Sequence, residues 1–163
     1  MTDPGHLVFY TIKQTAPKSV KVPGVTISNQ FGDLVVNVGK ADRMLVPTSK
    51  SLSGSPDPLD TPLDHFKCYK INGRFRITGL SIQTQFGTLT LDIKKPTHLC
   101  APADKDGEDP TAPSHAEHLA CYQVRGIRPE AQPIIFTNDQ FGPDSYTFYG
   151  PRELCVPSTV VLP

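Results

Sequence analysis

The chain has 163 residues, 37% of them hydrophobic and 20% charged, which is enough apolar sequence for one globular unit and excludes a disordered chain. Sixteen basic residues balance sixteen acidic ones, so we expect no general attraction to nucleic acid. No run of 18 apolar residues occurs, so we expect no membrane insertion, and 17 prolines and 12 glycines favour short strands over long helices.

Three copies of one unit follow one another along the chain. His6-Leu-Val-Phe-Tyr10 recurs as His65-Phe-Lys-Cys-Tyr69 and as His118-Leu-Ala-Cys-Tyr122. A Gln-Phe-Gly element recurs every 55 residues, at 30–32, 85–87 and 140–142. Such recurrence is typical of repeat proteins. We expect one domain over residues 1–163, with repeats at 6–50, 65–103 and 118–160 and exposed polar linkers at 51–64 and 104–117.

Within each unit the pattern alternates between apolar and polar residues, which is the period of a β-strand. Val25, Ile27 and Phe31 share one parity, and the segment after each Gln-Phe-Gly element alternates again. The glycines of these elements predict hairpin turns. In the second unit, Asn72-Gly73 lies between two apolar segments and predicts a type I′ hairpin.

These elements amount to about four short strands per unit. We therefore expect an all-β fold with pseudo-threefold symmetry. A β-trefoil is the first expectation, because it closes the sheet and removes its edges. A propeller-like ring of three sheets and a pseudo-trimer are the alternatives.

The second and third units contain two cysteines each, whereas the first unit has Phe9 and Leu45 at the equivalent positions. The loss of both cysteines together is what a bond inside each unit predicts, because the loss of one would leave a free thiol. The expected disulfides are Cys68–Cys100 and Cys121–Cys155.

Disulfides form in oxidising compartments, so we expect a secreted or periplasmic protein. The N-terminus MTDPGHLVFY has neither the basic start nor the apolar stretch of a signal peptide, and we expect Met1 to precede a mature exported chain. Four buried free thiols in a cytosolic protein are the alternative.

The repeated amides and phenols are candidate ligand-binding groups. An amide beside an aromatic ring can hold sugar hydroxyls, and a tyrosine suits an interface. The alternative is a glutamine that bonds its own hairpin, a phenylalanine that fills the core and a tyrosine that supports the sheet. The residues concerned are Gln30, Gln85, Gln140, Tyr10, Tyr69 and Tyr122.

Two sets of residues are candidate metal ligands. His6, His65 and His118 occupy equivalent positions and would suit Zn²⁺ if symmetry brought them to one axis, whereas local hydrogen bonds are the alternative. A second set, Asp104, Asp106 and Asp109, faintly resembles a calcium loop, but residue 115 is histidine where an EF-hand needs glutamate. Solvated linker charge is the alternative there.

The tandem pattern His-x-x-Cys-Tyr, Gln-Phe-Gly and Lys-Pro-x-x-Leu-Cys-x-Pro resembles repeats of uncharacterised exported bacterial proteins. In the second unit the matching residues are His65, Cys68, Tyr69, Gln85-Phe86-Gly87 and Lys95-Pro96-Thr-His-Leu99-Cys100-Ala-Pro102. The third unit departs at Gly150, and the first at both cysteines and at Ala41. The resemblance spans nearly the whole chain and implies export and repetition, without an activity to carry over.

The sequence contains no G-x-S-x-G, P-loop, G-x-G-x-x-G or H-E-x-x-H motif. We therefore expect a non-enzymatic extracellular binding module that takes a glycan or a protein ligand on a cell surface and needs no cofactor. The first alternative is a structural protein that decorates a shell, fibre or capsid. The second is a hydrolytic or metal-dependent enzyme.

Overall fold

The computed structural model of the protein describes residues 5–60, 63–85, 87–126 and 130–163. Phe86 of the second Gln-Phe-Gly element lies outside the described residues, as do 1–4, 61–62 and 127–129 of the expected domain and linker. The all-β expectation is confirmed. The elements are β1 (His6–Thr11), β2 (Val22–Asn29), β3 (Gly32–Ser51), β4 (His65–Asn72), β5 (Ile77–Thr84), β6 (Gly87–Ala103), a 3-10 turn (Ala112–Ser114), β7 (His118–Gly126), β8 (Ile134–Asp139), β9 (Gly142–Thr147) and β10 (Glu153–Val161).

Each unit folds as one long antiparallel hairpin that bends near its middle. In the first unit β1 and then β2 pair with β3, and in the second β4 and then β5 pair with β6. In the third unit β7 pairs with β10 and β8 with β9. The chain reverses at the Gln-Phe-Gly elements, as the pattern predicts: Asn29 lies opposite Gly32 and Asp139 opposite Gly142. Gly142 has φ +106°, which favours glycine there.

The first two units contain three strands each instead of the expected four, and some of these strands are longer than expected. β3 and β6 each continue through bulges at the bend, so two expected short strands become one. In the third unit the bend contains Gly150, with φ +117°, followed by Pro151, and the strand is interrupted between β9 and β10. The equivalent Pro96 lies inside the uninterrupted β6, so the break coincides with Gly150, which replaces Lys95 and whose φ lies outside the range of an extended strand.

The hairpin predicted at Asn72-Gly73 is wrong. Among the described residues β4 and β5 do not pair with one another, and both pair with β6. The chain therefore continues in the same direction from β4 to β5 and does not reverse at Gly73. A Cβ at Gly73 would lie 3.2 Å from both Pro96 and Val36. Glycine therefore serves a close approach of chains here, and the turn signal has a packing cause.

Six strands close into a ring in the order β2, β3, β4, β6, β7 and β10, because β10 pairs again with β2. Successive units are joined by β3 with β4 and by β6 with β7. Units three and one are joined differently: the end of β10 pairs with β2, and the end of β3 pairs with β8. The three joints are not equivalent, and a β-trefoil is not confirmed.

The predicted disulfides Cys68–Cys100 and Cys121–Cys155 are both present. In each, the two cysteines lie directly opposite one another on paired strands. Phe9 and Leu45 are opposite one another in the same register. Leu45 is buried beside the cysteines, whereas Phe9 is 39% exposed, so only Leu45 of this pair lies in the core.

Candidate functional site

The two linkers enclose a cavity of about 570 Å³ beside β3 and β6, here called the linker pocket. Its apolar lining includes Val46, Pro47, Leu59, Leu63, Ala103 and Ala112. Its polar lining is Asp64, His65, Lys105, Glu108, Asp109, His115, Asp139 and Gln140. A concave, partly apolar site with convergent polar groups is the usual form of a small-ligand site.

His115 connects the two linkers inside this pocket. Its Nδ1 donates to Asp64 Oδ2 over 2.8 Å, and its Nε2 lies 3.9 Å from Asp109 Oδ2. The hydrogen bond to Asp64 raises the pKa of His115, and the charge of Asp109 acts in the same direction. The protonated ring is thereby favoured, and it holds the first linker against the second.

Thr111, His115 and Asp64 contact one another in the order of a catalytic triad. Thr111 Oγ1 lies 3.2 Å from His115 Nε2. The hydroxyl proton of Thr111, however, is donated to Asp109 Oδ1 over 2.6 Å, and this bond lowers the pKa of Asp109. A hydroxyl whose proton is directed at a neighbouring carboxylate is not activated by the imidazole. These contacts order the linker.

Asp64, Asp109 and His115 are also the one group of three or more metal-ligating side chains within the described part of the chain whose ligand atoms lie within 4.8 Å of one another. One imidazole and two carboxylates suit a borderline divalent ion. The hydrogen bonds among Asp64, Asp109, Thr111 and His115 account for the same arrangement without an ion.

The three equivalent histidines do not converge. His65 Nε2 donates to Gln140 Oε1 over 3.2 Å at the linker pocket, and His118 Nδ1 donates to the carbonyl of Ala116 over 3.0 Å. His6 lines a different cavity of about 590 Å³. Each histidine begins the first strand of its own unit, and the three do not belong to a common group of potential metal ligands.

The three acidic residues of the calcium-like segment do not form one site either. Asp104 Oδ1 accepts from the backbone N–H of Asp109, so it closes a turn of the linker. Asp106 has a side chain 89% exposed and lies 3.7 Å from Lys105 Nζ. Only Asp109 takes part in the group around His115. The carboxylates point in different directions because two of them order the loop.

The repeated glutamines are all exposed, but their phenylalanines differ. The glutamines are Gln30, Gln85 and Gln140. Phe31 packs against Phe75 and Tyr122, with ring centroids 5.8 and 5.7 Å away. Phe141 is 61% exposed, and its ring centroid lies 4.9 Å from that of Tyr10 in a T-shaped arrangement. Of the first and third units, whose phenylalanines the structure describes, the third presents a largely exposed phenylalanine next to its glutamine, and this Gln140 lines the linker pocket.

The repeated tyrosines mostly support the sheet. Tyr10 donates its hydroxyl to Asp139 Oδ2, and burial together with this carboxylate raises the pKa of the phenol. Tyr122 is 1% exposed and accepts from Asn29 Nδ2 over 2.9 Å. Tyr69 is partly exposed beneath Lys67 Nζ, 5.3 Å from the ring centroid.

The equivalent positions that do converge are Arg43, His98 and Glu153, spaced by 55 residues. Arg43 bonds Glu153 over 2.5 Å, and His98 Nδ1 lies 3.5 Å from the same carboxylate. His98 Nε2 donates to Asp42 Oδ1 over 3.0 Å. Burial opposes ionisation of Glu153, but the adjacent imidazole of His98 and the hydrogen bonds from Thr97 and Arg43 outweigh it and lower the pKa of Glu153 to about 2. A search for recurring letters misses this cluster because its members differ.

Within the part of the chain that the structure describes, no helix is long and apolar enough to cross a membrane. A family model described as "Repeat of unknown function (DUF7450)" matches residues 6–157. No curated protein and no solved structure matches the chain.

Proposed function

The chain belongs to this family of repeats of unknown function, and from that premise we propose that it is an exported, non-enzymatic module that binds a neutral glycan at the linker pocket. The observation that carries the proposal is the exposure of Phe141, which directly follows the pocket-lining Gln140 in the chain, whereas Phe31 of the first unit is packed inward.

The pocket, together with Phe141 next to its lining residue Gln140, offers what a sugar ring needs. An exposed aromatic face stacks on the apolar face of a ring, and an amide donates and accepts hydrogen bonds at once. Gln140 and His65 are already joined over 3.2 Å, so the amide is held in place rather than free to rotate. The apolar lining around Leu59 and Leu63 covers the remaining carbon surface of such a ligand.

Export is supported by the two disulfides, which are stable in oxidising compartments. Each closes its own unit, and both bonds pack in or against the smaller core cluster, where reduction would leave four free thiols. A glycan outside the cell is accessible to such a protein.

Binding to an array of neutral glycans, followed by calorimetric titration of the best one, tests the proposal. We expect Phe141→Ala and Gln140→Ala each to weaken binding about tenfold. Gln30→Ala is the matched control, because Gln30 is an equally exposed glutamine at the equivalent turn of unit one. An array without signal, or equal effects of Gln140→Ala and Gln30→Ala, would contradict the proposal.

A role in assembly is the second candidate, supported by the β8–β9 hairpin. Among the described residues β9 pairs only with β8, so it has an open edge. Ile134 and Tyr146 on this hairpin are 53% and 42% exposed. Sedimentation over a concentration series tests this role. Self-association that Ile134→Ser abolishes supports it, and a monomer at all concentrations contradicts it.

A further inference from the structure

Charge is distributed unevenly over this electrically neutral chain. Half of the sixteen acidic residues lie in the two linkers, where Lys105 is the single basic residue. These are Asp57, Asp60, Asp64, Asp104, Asp106, Glu108, Asp109 and Glu117. The compensating positive charge is therefore concentrated elsewhere on the molecule.

Six cations from four segments gather at the bend of the second unit and the neighbouring strands; we call them the basic face. They are Arg74, Arg76, Lys94, Lys95, Arg125 and Arg152. The first four line one surface cavity of about 470 Å³, and the last two line another of about 370 Å³.

The two cavities are neighbours because β6 pairs with β7 between them. Lys95 of the first cavity lies opposite Gln123 of the second in this ladder, and Asp92 lies opposite Arg125. The backbone N–H of Val124 donates to the carbonyl of Arg152, which places Arg152 next to the same strand. Directly paired strands are about 4.8 Å apart, so the two cavities adjoin one another across this ladder.

Within the described residues Arg74, Lys95, Arg125 and Arg152 form no ion pair, whereas Asp92 attracts both Lys94 and Arg76. Lys94 Nζ lies 3.4 Å from Asp92 Oδ2, and this is the one ion pair that the described residues form with the basic face. The other oxygen of Asp92 accepts from the backbone N–H of Gly79 over 3.0 Å, so both of its oxygens are engaged. The arginines and Lys95 are exposed. Their charge is available to a ligand.

We propose that the basic face binds an anionic polysaccharide that carries repeated sulfate or carboxylate groups. Arginine forks bind such groups with two parallel hydrogen bonds, and two adjacent cavities require an anion with more than one charge. Tyr149, 58% exposed, lines the cavity of Arg125 and Arg152 and adds an aromatic surface for a sugar ring. The disulfides favour an extracytoplasmic partner over nucleic acid.

This surface is separate from the linker pocket, so its test is independent of the glycan site proposed there. Binding of the whole protein to dextran sulfate, with neutral dextran as the blank, is measured by titration at two salt concentrations. We expect binding that weakens with salt and is reduced at least about tenfold in Arg125→Gln/Arg152→Gln.

The matched control is Lys18→Gln/Lys21→Gln, which removes the same charge from two exposed lysines outside the basic face. Equal weakening by both double variants would mean general charge attraction and would overturn the proposal. Absence of binding to dextran sulfate would also overturn it. Tighter binding to duplex DNA or to phosphatidylglycerol vesicles at equal charge concentration would overturn the choice of polysaccharide.

Discussion

Tyr10 donates a hydrogen bond to Asp139 over 2.8 Å, although 129 residues separate them along the chain. The reciprocal contact joins the same two units, because Asn29 Nδ2 donates to the hydroxyl of Tyr122 over 2.9 Å. The first strand of each outer unit thus holds the Gln-Phe-Gly turn of the other unit. These contacts fasten the joint between units three and one, where the strand pairing departs from that of the other joints.

Removal of the Tyr10 hydroxyl will destabilise this joint. Tyr10→Phe keeps the ring contact with Phe141 and leaves Asp139 without its partner, so we expect a loss of about 1 to 2 kcal/mol in the free energy of unfolding. Urea unfolding measures it. Tyr69→Phe is the control at the equivalent position. Equal losses in the free energy of unfolding for Tyr10→Phe and Tyr69→Phe would contradict a special role of the Tyr10–Asp139 hydrogen bond at this joint.

A third disulfide will form in Phe9→Cys/Leu45→Cys. These positions face one another in the same register as the two native pairs. A bond that closes a loop of this length is worth about 4 kcal/mol, from which the loss of the Leu45 side chain is subtracted. Mass spectrometry and thiol titration check for the bond. Val8→Cys/Leu45→Cys should keep two free thiols, because adjacent strand residues point to opposite faces.

The cluster at Glu153 will make stability depend on acid pH. The pKa of Glu153 is about 2 in the folded protein against an ordinary value of 4.5, so the unfolded chain takes up the proton first. The resulting stability, at most about 3 kcal/mol, is present above pH 4.5 and lost as pH falls toward 2. Unfolding by urea across this range should show a flatter profile for Glu153→Gln. A Glu153→Gln profile parallel to that of the wild type would contradict this role of Glu153. The control is Glu117→Gln, an exposed linker residue, whose profile should run parallel to that of the wild type.

The contact between His115 and Asp64 will order the linkers at mildly acidic pH. Because the pKa of His115 is raised above 6.5 by Asp64, its contribution is complete below pH 6.5 and lost as pH rises through the folded value. Hydrogen exchange over residues 104–117 should be faster in His115→Gln than in the wild type at pH 6, with the difference shrinking at pH 9. Asp106→Asn, in the same loop but 89% exposed, should leave exchange unchanged. A difference that persists at pH 9 would exclude the charged contact.

The turns and the disulfides were predictable because both depend on residues close to one another in the repeat. The turn at Gly142 requires a positive φ wherever its hairpin lies in the fold. The two positions at which unit one lacks cysteines, Phe9 and Leu45, lie opposite one another in one strand ladder. The bend at Gly73 was not predictable, since its cause is the distant side chains of Pro96 and Val36. A glycine required for close packing has the same local signature as a glycine required for a turn.

The sequence by itself determined that the chain is all-β, that its units are hairpins turning at Gln-Phe-Gly, and which cysteines pair, because strand period and repeat register are local properties. Only the tertiary structure decided which equivalent residues meet. It separates His6, His65 and His118, brings Arg43 and Glu153 together, and turns Phe31 inward while Phe141 faces solvent. Equivalent residues have equivalent backbones, but their neighbours depend on how the ring closes, and this ring closes through joints that are not equivalent.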